Sequence, residues 1–198
     1  MQLERILQSL EPVKVPSPST EQYPTPAAIA AEVIQFALGR SDIAGRSVVD
    51  LGCGNGVLAI AAKLSGAARV LGVDADPESV EVSRRNAERS EVEVEWEVAD
   101  VSSVHERFDT VLMNPPFGAQ TRHADRPFID AAMQLGKVVY MFLNAPSEPF
   151  VERRIETTGS RITDRLEYRF PIPHLFSFHQ QDVRTHEVLL YRVEVAKG

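Results

Sequence analysis

The sequence predicts an α/β fold in which helices wind around both faces of a mainly parallel, seven-stranded sheet, with an antiparallel strand pair at the C-terminus. Three observations carry this expectation. From residue 46 onward, short runs rich in Val, Ile and Leu alternate with stretches of helical periodicity. The first of them follow β-α-β-α-β order, which parallel pairing with crossover helices explains. The last two strand-like runs, RITDRLEYRF and THEVLLYRVEV, have no helical stretch between them and read as antiparallel neighbours.

Residues 3–10 read as a short helix. The stretch EPVKVPSPSTEQYPTP at 11–26 carries five prolines and reads as extended chain. Thr25 is expected to cap the next helix, with Pro26 at its first position, Ile29, Val33, Ile34 and Leu38 on one face, and Gly39 at its end. SVVDL (47–51) is the first strand, and a glycine turn leads to a helix near 57–65. The strand RVLGVD (69–74), a helix near 77–89 capped by Asp76, a strand near 92–98 and the strand FDTVLMN (108–114) follow. A helix near 126–135, the strand KVVYMFLN (137–144) and a helix near 147–158 precede the closing pair. In the strand near 92–98, Val92, Val94, Trp96 and Val98 alternate with Glu91, Glu93, Glu95 and Glu97. A central strand would be apolar on both faces, so this pattern predicts an edge strand whose glutamates discourage promiscuous pairing.

At 198 residues the chain predicts a single domain, 1–198, with 1–40 as a helical and extended N-terminal segment and 46–198 as the core. Its 43% hydrophobic and 25% charged residues are ordinary for a globular chain and argue against disorder. No apolar run approaches the roughly 18–20 residues of a membrane span. MQLERILQSL lacks the basic start and small-residue cleavage site of a signal peptide, so the cytoplasm is the expected compartment. A single cysteine, Cys53, excludes an internal disulfide and a cysteine-rich metal site, and the five histidines have no metal-ligand spacing, so no metal is expected in this chain. Net charge is −7, with 15 acidic and 9 basic residues in 1–99 against 13 and 12 in 100–198. That balance disfavours nucleic acid unless a local basic patch or a basic partner supplies the contact.

In such a sheet, ligands sit beyond the carboxyl ends of the strands, here after Leu51, Val73, Val98 and Met113. The first of these positions opens DLGCGNG, where Gly52, Gly54 and Gly56 let the backbone turn tightly and approach a ligand. A dinucleotide fingerprint would need its third glycine where Val57 stands, which argues against an oxidoreductase. Asp74 ends the second strand, where an acid can accept both hydroxyls of a ribose. Asp100 follows the third strand and can accept from an adenine amino group while the Val101 backbone reads the ring edge. These positions converge on an adenosine-shaped ligand without phosphates. The fourth strand ends in Asn114, a polar amide followed by Pro115, Pro116 and Phe117.

On these residues the chain resembles the class I S-adenosylmethionine-dependent methyltransferases, with their Rossmann-like sheet, from about Thr20 to the C-terminus. Asp50 and the three glycines are similar to that superfamily's first motif. NPPF at 114–117 is similar to the motif of its amino-methylating branch. The branch acts on adenine N6, cytosine N4 or glutamine N5. TEQYPT at 20–25 resembles a segment of the methyltransferase-like protein five family, the archaeal and eukaryotic small-subunit rRNA adenine-N6 methyltransferases. YRFPIPHLFSFHQ resembles that family's ending.

The resemblance implies catalysis by Asn114, Pro115, Pro116 and Phe117. It also implies S-adenosylmethionine binding by Gln22, Thr25, Asp50, Gly52, Gly54, Gly56, Asp74, Asp100, Val101 and Asn114, with the N-terminal segment over the site. RNA contacts are expected at Phe117, Arg122, Arg126 and His179; the two arginines stand in for a threonine and lysine that the family has where this chain has Ala119 and Gln120. The family also implies a heterodimer with a small zinc-binding methyltransferase activator protein, added as a strand at the 92–98 edge. Two other readings share parts of the pattern. A protein glutamine-N5 methyltransferase shares the NPP chemistry but favours tyrosine after the prolines and carries an added recognition domain. A non-catalytic cofactor-binding scaffold would have little use for an intact NPPF.

Overall fold

The computed structural model describes residues 2–13, 24–116, 125–171 and 185–196. Two N-terminal helices, α1 (Gln2–Gln8) and α2 (Ala27–Gly39), precede β1 (Ser47–Leu51), α3 (Val57–Leu64), β2 (Arg69–Asp74), α4 (Pro77–Arg89), β3 (Glu95–Val98) and β4 (Phe108–Met113). Then come α5 (Arg126–Leu135), β5 (Gly136–Asn144), α6 (Glu148–Thr157), β6 (Arg161–Pro171) and β7 (Thr185–Glu194). The seven strands pair in the order β3-β2-β1-β4-β5-β7-β6. The first five run parallel, and β7 pairs antiparallel with both β5 and β6. The chain thus winds outward from β1 to β3 and then returns to β4, placing the topological switch between β1 and β4.

Each face of the sheet carries its own apolar layer. Val48, Val70, Leu112, Tyr140 and Phe142 pack with Leu7, Ile34, Leu58 and Ile60 from α1, α2 and α3. Val49, Leu51, Val73, Val111 and Met141 pack with Ile129, Leu135, Val151 and Ile155 from α5 and α6. Alternate residues of β1, β4 and β5 serve alternate layers, so both faces of these central strands are covered.

The edge position expected from the glutamate alternation is observed: β3 is terminal in the sheet, and Glu93, Glu95 and Glu97 are exposed while Val92, Val94 and Trp96 are partly buried. The strand is shorter than expected, beginning at Glu95 rather than Val92. The reason lies upstream. Val92 N–H donates to Ala87 O at 3.1 Å and Glu91 has φ +55°, so this stretch is still leaving the end of α4 when a strand would have to begin. Trp96 folds inward over Gly72 of β2, where a Cβ would lie 2.2 Å from its ring.

Toward the opposite ends of the parallel strands lies a buried polar cluster. Arg192 of β7 donates through Nε to Asp42 Oδ2 at 2.9 Å, and the Tyr140 hydroxyl donates to the same oxygen at 2.6 Å. Thr110 Oγ1 donates to the Asp42 carbonyl at 2.5 Å.

Candidate active site

The carboxyl ends of β1, β2 and β4 surround a cavity of about 410 Å3. Its floor is the turn after β1. Gly52, Gly54 and Gly56 all have positive φ, at +73°, +56° and +81°, a backbone that side-chain-bearing residues rarely adopt. Gly52 N–H and Cys53 N–H donate to Val73 O, tying the turn to β2. Gly54 N–H donates to Asp74 Oδ2 at 2.9 Å, and Asp76 N–H donates to the other Asp74 oxygen at 3.0 Å. From behind, Ser83 of α4 donates its hydroxyl to Gly54 O at 2.8 Å.

Asp50 is the electrostatic anomaly of the site. It is 1% exposed, its Oδ2 accepts from Ala59 N–H at 3.1 Å, and its buried Oδ1 accepts no hydrogen bond among the described residues. Burial pushes its pKa up to about 7, against the lowering effect of Ala59 N–H, and the charge of Asp74 raises it further. Asp100 is the reverse case. It caps a short 3-10 turn, Val101–Ser103, accepts from Ser102 N–H and hydroxyl, and is held below the usual carboxylate range by the Ser102 hydroxyl first and its N–H second.

Asn114 follows β4 directly. Its Nδ2 donates to Thr25 Oγ1 at 3.0 Å, which fixes the amide plane and leaves Oδ1 as its acceptor end. Thr25 therefore does not cap α2 as the sequence led us to expect. Pro26 is the N-cap residue, and its ring carries no acceptor for a side-chain cap bond; the Thr25 hydroxyl, one position earlier, accepts from Asn114. Asp76 does cap α4, accepting from Glu78 N–H and Ser79 N–H.

Of the sequence-predicted site residues, Thr25, Asp50, Gly52, Gly54, Asp74, Asp100, Val101, Asn114 and Pro116 line the cavity. Pro115 is buried beside them. Gly56 is not on the wall; a Cβ there would lie 2.8 Å from the Trp96 ring, so its bare Cα admits the indole rather than a ligand. Arg126 opens α5, exposed and 3.9 Å from Asp130 in an ion pair, and does not line the cavity as its neighbours Pro127 and Phe128 do. Gln22, Phe117, Arg122 and His179 lie outside the described residues. Sequence reasoning missed Pro12 and Val13, which fold back from the N-terminus, and Pro127 and Phe128 at the start of α5. Phe128 lies over the turn, with its ring 2.9 Å from where a Cβ on Gly52 would be. Among the described residues no group of three or more His, Cys, Asp or Glu is arranged to hold a metal ion.

A domain model described as methyltransferase small domain matches residues 29–138. The rRNA N(6)-adenosine-methyltransferase Mettl5 of Drosophila melanogaster is 35% identical over 98% of this chain and 95% of its own length. A solved structure from Pyrococcus horikoshii superposes with TM-score 0.88 at 37% identity, covering 98% of this chain and 97% of that one. The magnesium protoporphyrin IX methyltransferase of Synechocystis, solved with bound SAM, shares the fold at TM-score 0.67 and 16% identity, over 84% of this chain and 78% of that one. With an NPP turn at the switch point, a glycine loop facing Asp74, and full-length similarity to an rRNA N6-adenosine methyltransferase, the chain belongs to the methyltransferase small domain family and, within it, to the Mettl5 group.

Proposed function

We propose that this chain transfers a methyl group from S-adenosylmethionine to N6 of an adenosine in small-subunit rRNA, in the cytoplasm. The observation that carries the reading is Asn114, an amide fixed by Thr25 beyond a central strand, ahead of two prolines and on the cavity wall. The rRNA adenosine as substrate is the activity named for the Drosophila relative.

The cavity suits the cofactor in size and charge. About 410 Å3 is ample for a nucleoside with a short side chain, and Asp50 offers a buried carboxylate oxygen in need of a donor. When bound, the cofactor supplies a methyl group on a cationic sulfur. Asp50 faces its positive end, and each Asp74 oxygen keeps a lone pair for a ribose hydroxyl. Asp100 and the Val101 backbone serve the adenine edge. Gly52 and Gly54 allow close approach, and Gln22 and Thr25 close the site. Pro12, Val13, Pro24 and Thr25 line the cavity, which supports residues 1–40 as a cover on a single catalytic unit.

Adenine N6 is a poor nucleophile because its lone pair is delocalised into the ring. Asn114 Oδ1 and the Pro115 carbonyl each accept one of its N–H bonds, holding the nitrogen closer to tetrahedral and aiming its lone pair at the methyl group. The proton then leaves to water, so no side-chain base is needed. Phe117 stacks on the extruded base, and Arg122, Arg126 and His179 contact the RNA.

The same reading gives the β3 edge to a small zinc-binding activator that adds a strand along Glu95–Val98. Its terminal position supports this, although Glu95 is already committed to a two-pronged pair with Arg69. Co-expression and size exclusion test that partner. The activity is tested with labelled cofactor, with and without the activator, offered rRNA and release-factor protein separately. Label in adenosine N6 is the expected result; label only in protein glutamine overturns the RNA assignment.

A further inference from the structure

Pro12 and Val13 form part of the cavity wall although they lie far from the glycine turn in sequence. The preceding residue holds them there. Glu11 N–H donates to Asn86 Oδ1 at 2.8 Å, and Asn86 Nδ2 donates back to Glu11 O at 3.0 Å. The same Nδ2 donates to Asn55 O in the glycine turn at 3.0 Å, and Asn55 Nδ2 donates to Glu11 O at 3.3 Å. Asn86 thus offers Glu11 the donor and acceptor that a neighbouring strand would offer, while its second N–H holds the turn. Arg85 and Arg89 add ion pairs to the Glu11 carboxylate at 3.0 and 3.3 Å; at their exposure these contribute little.

Asn86 is 0% exposed within the buried stripe of α4, among Val82, Ser83 and Ala87. An apolar residue would serve helix packing there, and a buried amide is costly unless every group is paired. Pairing is what the amide achieves, and both partners flank the cavity.

We propose that Asn86 is a positioning residue that latches the strap Glu11–Val13 to the glycine turn and thereby sets how slowly the cofactor leaves. The proposal rests on the reading that the cavity holds S-adenosylmethionine. A ligand enclosed between turn and strap leaves when the strap lifts, and lifting breaks the bonds between Asn86 and Glu11. Local opening of this kind is governed by the few interactions that hold the segment. Asn86→Asp keeps the shape but replaces both N–H donors with an oxygen facing two carbonyl oxygens, so it favours the open strap. Asn114 and Pro115 are untouched.

The test loads the full-length protein with labelled S-adenosylhomocysteine and chases it with unlabelled ligand. Asn86→Asp is expected to release label about tenfold faster, the scale of losing one to two hydrogen bonds, while the single-turnover methyl-transfer rate at saturating cofactor changes less than about twofold. The exposed double variant Arg85→Ala, Arg89→Ala, which folds independently of the buried amide, is expected to release two- to threefold faster, roughly the worth of surface ion pairs. Ile155→Ala, a core change in α6, controls for lost stability and should release at the wild-type rate. Wild-type release rates in both latch variants overturn the proposal, as does equal acceleration in Ile155→Ala. Failure of the wild-type protein to bind S-adenosylhomocysteine would instead remove the cofactor reading, and the latch with it.

Discussion

Asp42 and Asp50 are both buried carboxylates, and the contrast between them separates the two ends of the sheet. Asp42 is saturated: Arg192 and Tyr140 supply a counter-charge and two short hydrogen bonds to one oxygen, and Arg192 Nη2 reaches the other at 3.4 Å. Among the described residues, Asp50 has one backbone donor, no cation, and a buried oxygen without a partner. A folded chain selected for stability alone would treat both as it treats Asp42. The unfinished pairing at Asp50 lies on the cavity wall, while the finished pairing at Asp42 ties β7 to the parallel strands.

The comparison is sharpest in substitutions that move one currency and not the other. Asn114→Ala should cost about 100- to 1,000-fold in transfer rate, about 3–4 kcal/mol in the barrier, with cofactor affinity within about threefold by calorimetry. Asp74→Ala should do the reverse, weakening affinity first. Equal loss of cofactor in both would erase the division between acceptor and cofactor residues. Asp42→Ala should lower stability by about 3 kcal/mol, because Arg192 is left buried with weaker partners. Activity per folded molecule should hold. A drop in activity without a drop in melting temperature would break the contrast from the other side.

Asp50→Asn is expected to give the smallest change, about tenfold in cofactor affinity, with no loss in the melting temperature of the ligand-free protein. Its sharper signature is pH dependence. With a folded-state pKa of about 7 against the ordinary 3.8, the ligand-free fold holds a proton that the unfolded chain releases. Its contribution is therefore fully present below about pH 4 and is lost as pH rises through 7. A cationic cofactor favours the carboxylate, so affinity should fall as pH drops below 7, by about tenfold in all, and Asp50→Asn should flatten both slopes. Unchanged slopes in that variant would assign the titration elsewhere.

Most of the sheet was legible because its signals are local. SVVDL and RVLGVD are strands as read, and the positions after Leu51, Val73, Val98 and Met113 converge on one cavity. The errors arise from contacts that the local pattern does not show, most of them between distant segments. Thr25 looks like a cap until Asn114 is brought to its hydroxyl. Residues 92–94 alternate like a strand, but Val92 N–H is bonded back to Ala87 at the end of α4, and the strand begins only at Glu95. Pro12, Val13 and Phe128 reach the cavity through tertiary folding that no spacing announces. Asn86 did leave a trace: an amide in the apolar stripe of an amphipathic helix asks for a partner, and that question was readable.

Trp96 is the chain's only tryptophan, wedged between Gly72 of β2 and Gly56 of the glycine turn. The protein therefore carries its own optical probe. Any rearrangement of the turn changes the surroundings of one indole and of no other, so intrinsic emission from the unlabelled molecule reads out the state of the cofactor pocket. Because the same indole rises from the exposed β3 edge, a partner that grips that edge presses on a side chain in contact with the turn, and the two events share a single spectroscopic channel.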